Sequence, residues 1–495
     1  MSDTNKKMRV FFDISSLVAY VAKIDRYSGI QRVLVNIVAE IKKYAVDAEF
    51  YFCFHEGVTR KYVSLPFSYF NMENFDDPAT LRAALKMPKV STAADISVIS
   101  RYNSNILKFY FHRTKLDFLA MLGSKHSFLR HNITPERWLE MRFPRDRKSR
   151  KSAMKKSFLA ICQPGDVLVN LDSSWLDLHE RTFAAAKEKG VICYTLVYDL
   201  IPILLPQTTN GMMPLIFHKW LANSVEYTTK YLCISNATKK DLQIFLAKSG
   251  CRHEIDVLPL AQQGIDRKVT PEAAGPMSVK VNKNAYPWLY EVAEISDHVR
   301  NVATIPYVLC AGTIEARKNV WRIAQSWQRL LEDGDYDLPR LVFAGRKGWH
   351  IRAFEDFLNA TGNLNGWIQI IEAPSDSELA FLYRNCKFSI MASLYEGWGL
   401  PVGEALSYGK TAVVSNNSSL PEVGGDHVEY CDATSIESIA AACGRLIKNP
   451  ARIEELEDGI ASAKLRTWAE VASDLLSILG LLTDTPAEQN NALQN

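Results

Sequence analysis

Twice along this chain, short and nearly continuous apolar runs alternate with stretches of helical periodicity, and that alternation constrains the fold more than any other feature. The first series opens with "MRVFFDIS" (8–15) and the amphipathic "SGIQRVLVNIVAEIKKY" (28–44). It resumes with "GDVLVNLD" (165–172), a helix over 178–189, "VICYTLVYDL" (191–200), helical 214–231, "YLCIS" (231–235), "ATKKDLQIFLAKSG" (237–250) and "HEIDVLPLA" (253–261). Residues 268–300, rich in Pro, Gly and Lys, break the pattern and read as a connection or surface excursion. The second series follows: "PYVLCAGT" (306–313), helix 318–332, "RLVFAGRKG" (340–348), "WIQIIEAP" (367–374), helix 376–384, "FSIMASLY" (388–395), helix 400–408 and "TAVVSN" (411–416). Strands without a polar face belong in parallel sheets covered by helices on both sides, so the expected class is α/β with mostly parallel, doubly wound sheets. A chain of 495 residues is long enough for two cores. We therefore expect one domain over 1–300 and a second over 301–460, facing each other across a cleft at the carboxyl ends of their strands.

Composition excludes some function classes. The net charge of +3 gives the whole molecule no strong case for nucleic acid. Nine scattered cysteines without a CxxC pair read as reduced thiols, from which a cytoplasmic home follows. The opening "MSDTNKKMRV" shows no secretory signal, and no uncharged apolar run approaches the roughly 20 residues that span a bilayer. Segment 101–157 departs from the average, with fifteen Lys or Arg against four Asp or Glu and interspersed aromatics. Such a segment suits an anionic membrane surface or a lipid-linked substrate on the inner face of the cell membrane; a plain solvated insertion and nucleic acid are the alternatives. The tail 484–495 reads as disordered.

Three loops of the second series concentrate polar chemistry at carboxyl ends of strands. "GTIEARKN" (312–319) presents Gly312 and Thr313, then Arg317 and Lys318 as a helix begins; "AGRKGW" (344–349) presents Arg346 and Lys347. "YEGWGLPVGEAL" (395–406) sets Glu396 in a glycine-rich bend and Glu404 inside the following helix. Unpaired N–H groups at Gly399 and Leu400, with Pro401 in the first turn, favour an anion, and the basic pairs strengthen that preference. A diphosphate leaving group satisfies all three loops. Glu396 then reaches a hydroxyl-rich ring, and Glu404 a vicinal diol such as a ribose. Taken alone, Glu396 could instead cap a helix and Glu404 face solvent.

These motifs resemble the retaining, nucleotide-sugar-dependent glycosyltransferases of family 4. The matching pieces are "SGIQRVLVNI", "TLVYDLIPI", "CISNATKKDL", "GTIEARKN", "LVFAGRKGW", "SDSELAFLYRNC", "YEGWGLPVGEAL", "GKTAVVSNNSSLPEVGGD" and "RTWAEVASDLLSIL". The resemblance implies a GT-B fold, two facing Rossmann-like domains with a deep interdomain cleft, and a helix within 461–483 that returns to the first domain. It implies that Glu396 contacts the donor sugar, Glu404 the ribose, and Lys318 the diphosphate with Arg317 beside it. It also sets Gly29 at the loop after the first strand, near phosphate or acceptor. Many relatives carry a His where "CYTLVYDL" ends; here Tyr198 is followed by Asp199, which is placed near the reacting centre or, alternatively, caps the turn before Pro202.

The implied reaction moves a hexosyl unit from a nucleotide diphosphate sugar to a hydroxyl with retention of configuration, without cofactor or metal, the basic residues doing a cation's work on the diphosphate. Polysaccharide-building relatives with "SGIQRV" and "GTIEARKN" make GDP-mannose the first expectation for the donor, with UDP- and dTDP-sugars open. The acceptor would be a growing bacterial polysaccharide or lipid-linked glycan. A non-hydrolysing sugar-nucleotide epimerase and a non-catalytic sugar-nucleotide-binding assembly protein are the rival readings. His218 reads as structural, Asp172, Ser174 and Trp175 as possible acceptor contacts, and Trp321 and Trp327 as packing.

Overall fold

The computed structural model describes residues 7–24, 27, 29–56, 61–70, 72, 75, 77–85, 87, 106–124, 128, 134–142, 155–173, 175, 180–264, 295–334 and 337–482. The readings made for 268–294, for Ser174 and for the tail lie outside these residues. The chain divides into two compact units, Met1–Tyr194 and Thr195–Asn495.

In the first unit β1 (Met8–Asp13), β2 (Ala48–His55), β3 (Tyr62–Pro66), β4 (Lys156–Ser157) and β5 (Val167–Asn170) form the order β4-β3-β2-β1-β5. β1 pairs in parallel with β2 and β5, while β2–β3 and β3–β4 are antiparallel. The "SGIQRV" segment forms the helix Ile30–Ile41, which buries Val33, Leu34, Ile37, Val38 and Ile41 at the expected helical spacing. Within 101–157 two helices, Ile106–Met121 and Pro135–Arg142, enclose a small core of Leu116, Ala120, Phe128 and Trp138.

β6 (Ile192–Val197) carries the chain into the second unit. There β7 (Lys230–Cys233) and β8 (Glu254–Val257) pair in parallel. A six-stranded sheet follows from β9 (Tyr307–Ala311), β10 (Arg340–Gly345), β11 (Ile368–Glu372), β12 (Ser389–Met391), β13 (Ala412–Ser415) and β14 (Glu429–Cys431). Every pairing is parallel, and the order β11-β10-β9-β12-β13-β14 is the 3-2-1-4-5-6 order of a doubly wound nucleotide-binding sheet.

The continuous apolar runs are explained by two cores. Val308 and Cys310 of β9 face one, with Trp327 and Leu330 of the helix Val320–Glu332 and Cys443 and Leu446 of the helix Ile436–Lys448. Tyr307, Leu309 and Ala311 face the other, with Leu382 and Tyr383 of the helix Asp376–Asn385. The strand alternates between faces, and both are dry. Trp327 is fully buried and its indole N–H donates to the Pro339 carbonyl at 2.9 Å, whereas Trp321 is partly exposed.

Candidate active site

Chain order reverses between β9 and β12, so the crevice outside their carboxyl ends is where an open α/β sheet takes a ligand. β9 runs into Gly312, whose φ of 119° suits glycine. The helix expected to start at Lys318 begins two residues later. Ala316–Lys318 form a 3-10 turn, and Asn319 adopts the left-handed conformation at φ 61°. That conformation is held by the Asn319 side-chain amide, which donates to the carbonyls of Ala392 at 2.9 Å and Ala433 at 2.7 Å. The turn is also tied to the chain after β12, where the Leu394 N–H donates to the Arg317 carbonyl at 2.9 Å.

Glu396 therefore meets both cations. Its Oε2 lies 2.8 Å from Arg317 Nη1 and its Oε1 2.7 Å from Lys318 Nζ, with Glu396 only 6% exposed. Burial works to raise the Glu396 pKa, but the two cations outweigh it and hold the carboxyl down at about 2. Burial likewise opposes charge on Arg317; Glu396, Glu315 and Asp199 outweigh it and keep the guanidinium protonated. Arg317 also bonds to Glu315 Oε1 and to the Tyr395 carbonyl, both at 2.7 Å. Arg317 is thus held by Glu315, Glu396 and the Tyr395 carbonyl, while Lys318 pairs with Glu396.

The bend after Glu396 is anchored by serines whose partners no local sequence pattern indicates. Ser418 accepts from the Glu396 N–H at 3.0 Å, and the Ser419 hydroxyl sits 2.9 Å and 2.8 Å from the carbonyls of Glu396 and Trp398. Gly399, at φ 110°, opens the helix Leu400–Ser407. Glu404 is buried in that helix rather than solvated, and the Tyr383 hydroxyl donates to its Oε2 at 3.1 Å. A Cβ placed on Gly312 would have Lys318 Cε and Pro401 Cγ each 3.8 Å away. Gly312, Lys318 and the start of the 400–407 helix therefore border one space.

Asp199 follows β6 and caps the turn before Pro202. Its Oδ1 accepts from the Ile201 N–H at 2.9 Å, and it lies within the field of Arg317 and Glu396. Burial raises its pKa against the pull of Arg317. A Cβ on Gly397 would come within 2.3 Å of the Tyr198 carbonyl oxygen and 3.1 Å of Asp199 Cβ, so only glycine lets this bend lie on the end of β6. Other ties join 195–264 to later residues. Glu422 accepts from the N–H groups of Asn236 and Ala237 at 2.8 Å and 2.9 Å, Tyr395 donates to Asp241, and the Trp398 indole donates to the Ala261 carbonyl at 3.3 Å.

The second basic loop is zipped to the first: the Ile314 N–H donates to the Arg346 carbonyl at 2.8 Å and the Gly348 N–H to that of Ile314 at 2.7 Å. Its side chains are not gathered with Glu396. Arg346 and Thr313 are exposed, and Lys347 pairs with Glu355 at 2.8 Å on the surface. In the first unit Gly29, at φ 49°, opens the Ile30–Ile41 helix, and Asp172 is buried at the end of β5, accepting from the Leu17 N–H at 2.6 Å. His218 is exposed and packs edge-on against Phe245. Among the described residues no three His, Cys, Asp or Glu gather as a metal site would require.

Residues 293–466 match the model of the family described as glycosyl transferases group 1. An O-antigen chain mannosyltransferase B of Escherichia coli is 32% identical over 177 residues, 36% of this chain and 46% of that protein. The serotype-specific mannosyltransferase WbdA of Escherichia coli is 24% identical over 254 residues, 51% of this chain and 29% of that protein. The chain thus spans less than half the length of these relatives. Among solved structures, an alpha,alpha-trehalose-phosphate synthase (UDP-forming) from Burkholderia vietnamiensis superposes with a TM-score of 0.52 at 10% identity, covering 97% of this chain and all of that one. A glycosyltransferase from Rickettsia africae gives 0.50 at 13% identity, with 97% and 100% covered. The fold is GT-B, and residues 293–466 are similar to the group 1 glycosyltransferases.

Proposed function

We propose that the protein is a retaining hexosyltransferase that takes a nucleotide diphosphate sugar, GDP-mannose first, and glycosylates a hydroxyl of a growing bacterial polysaccharide or lipid-linked glycan. The observation that carries this reading is the convergence of Lys318, the start of the 400–407 helix and Glu396 at the β9/β12 reversal. Similarity to O-antigen mannosyltransferases supports mannose.

In this reading the diphosphate displaces part of the Lys318–Glu396 pairing, and its oxygens accept from the Lys318 ammonium and the first N–H groups of the 400–407 helix. Arg317, held by Glu315 and the Tyr395 carbonyl, fixes Glu396 in place. Glu396 stays ionised and accepts from ring hydroxyls; Glu404, oriented by Tyr383, accepts from the ribose diol. The bond from the anomeric carbon to the phosphate oxygen breaks as the acceptor oxygen attacks from the same face, and the acceptor proton passes to the departing phosphate. Stabilising the leaving charge and excluding water supply the rate enhancement. The test incubates the protein with GDP-mannose, UDP-sugars or dTDP-sugars and a glycan acceptor, and determines the anomeric configuration of the product by NMR. A retained α-linked product supports the reading; an inverted product, or epimerisation of the sugar nucleotide without acceptor, contradicts it.

A further inference from the structure

The helix Ile106–Met121 has two unlike sides. One packs Leu116 and Ala120 against Phe128 and Trp138, and the Trp138 indole N–H donates to Asp117 Oδ1 at 2.9 Å. On the opposite side Phe111, Phe118, Met121 and the following Leu122 are 75%, 62%, 62% and 66% exposed, with Lys115 exposed among them. Four large exposed apolar side chains on one side of the helix and its end, with a local core already formed behind them, are not explained by folding of the segment. The segment 101–157 that presents this face carries fifteen Lys or Arg against four Asp or Glu.

We infer that this face docks on an anionic lipid bilayer, with Phe111, Phe118, Met121 and Leu122 entering the headgroup and acyl boundary while Lys115 meets anionic headgroups. The charge excess is complementary to such a surface, and the aromatic and aliphatic side chains match its apolar layer. Nucleic acid would use the cations and stack on the aromatic rings, but it gives Met121 and Leu122 nothing to bury against. This inference stands apart from the transferase reading, because it involves no residue of the donor site.

The test is co-sedimentation of the full chain with vesicles of phosphatidylcholine alone or mixed with phosphatidylglycerol, for wild type and for Phe111→Ser/Phe118→Ser. Both substituted side chains are exposed, so the thermal midpoint should not move. We expect binding to the anionic vesicles, at least about tenfold weaker partitioning to neutral ones, and a loss of at least about tenfold in the double variant. Equal binding by wild type and variant, or indifference to lipid charge, overturns the inference. So does binding of an RNA oligomer without binding of vesicles, and so does a concentration-dependent dimer that the same substitutions abolish while vesicles are ignored.

Discussion

Lys318 and Glu396 follow strands that are neighbours in the sheet but far apart in sequence, and their charged atoms stand 2.7 Å apart in a buried setting. Removing either side chain should lower turnover by at least about tenfold, equivalent to about 1.4 kcal/mol of transition-state stabilisation. Steady-state kinetics with the accepted donor checks this, and near-normal rates would remove the pair from the site.

The same pairing has a consequence for stability. Glu396→Ala leaves Arg317 and Lys318 buried without their shared carboxylate and should cost about 3 kcal/mol. Adding Lys318→Met should recover part of that loss without restoring activity. Denaturant unfolding of the single and double variants measures the coupling.

Gly397 lies so close to the Tyr198 carbonyl that a methyl group cannot enter. Gly397→Ala should cost about 2 kcal/mol through overpacking and displace the Glu396 bend, lowering activity as well. A stable and fully active variant would show that the bend does not rest on the end of β6.

Glu422 caps the helix Asn236–Lys248 from another part of the chain. Glu422→Ala should destabilise by about 1 kcal/mol, as loss of a capping acceptor does. Hydrogen exchange at Asn236 and Ala237 would report it locally.

Two buried carboxyls give pH dependences of opposite sign. Glu396 has a folded pKa of about 2, below the ordinary 4.5, so its stabilisation is present above 4.5 and fades as pH falls towards 2. Asp172 is pushed up to about 7 by burial and then by Asp13, from an ordinary 3.8. In that window the folded state holds the extra proton, so stability should decline as pH rises from 3.8 to 7. Asp172→Asn should flatten that decline, and unfolding midpoints measured across the window would reveal it.

The alternation of apolar runs made most parallel strands legible because their residues are buried on both faces. The antiparallel pair β2–β3 escaped notice: "AEFYFCFH" and "YVSLP" are not followed by helices in the βα rhythm. β14 and the helices Arg352–Asn365, Ile436–Lys448 and Pro450–Ser462 were also unread. At the site, spacing and glycine content pointed to Glu396, Lys318 and Glu404. The bond from Asn319 to Ala433, the role of Glu315, the serine anchors and the Glu422 cap depend on long-range partners that no local pattern encodes. Lys347, placed after β10 by the sequence pattern, pairs with Glu355 on the surface, a partner that no local pattern encodes either.

In the proposed function Lys318 and the start of the 400–407 helix grip a diphosphate. Calorimetric titration of each nucleoside diphosphate and the matching monophosphate into wild type and Lys318→Ala addresses it directly. For one base, wild type should bind the diphosphate at least about tenfold more tightly than the monophosphate, and Lys318→Ala should lose most of that preference. An undiminished preference in Lys318→Ala, or none in wild type, would contradict the claim.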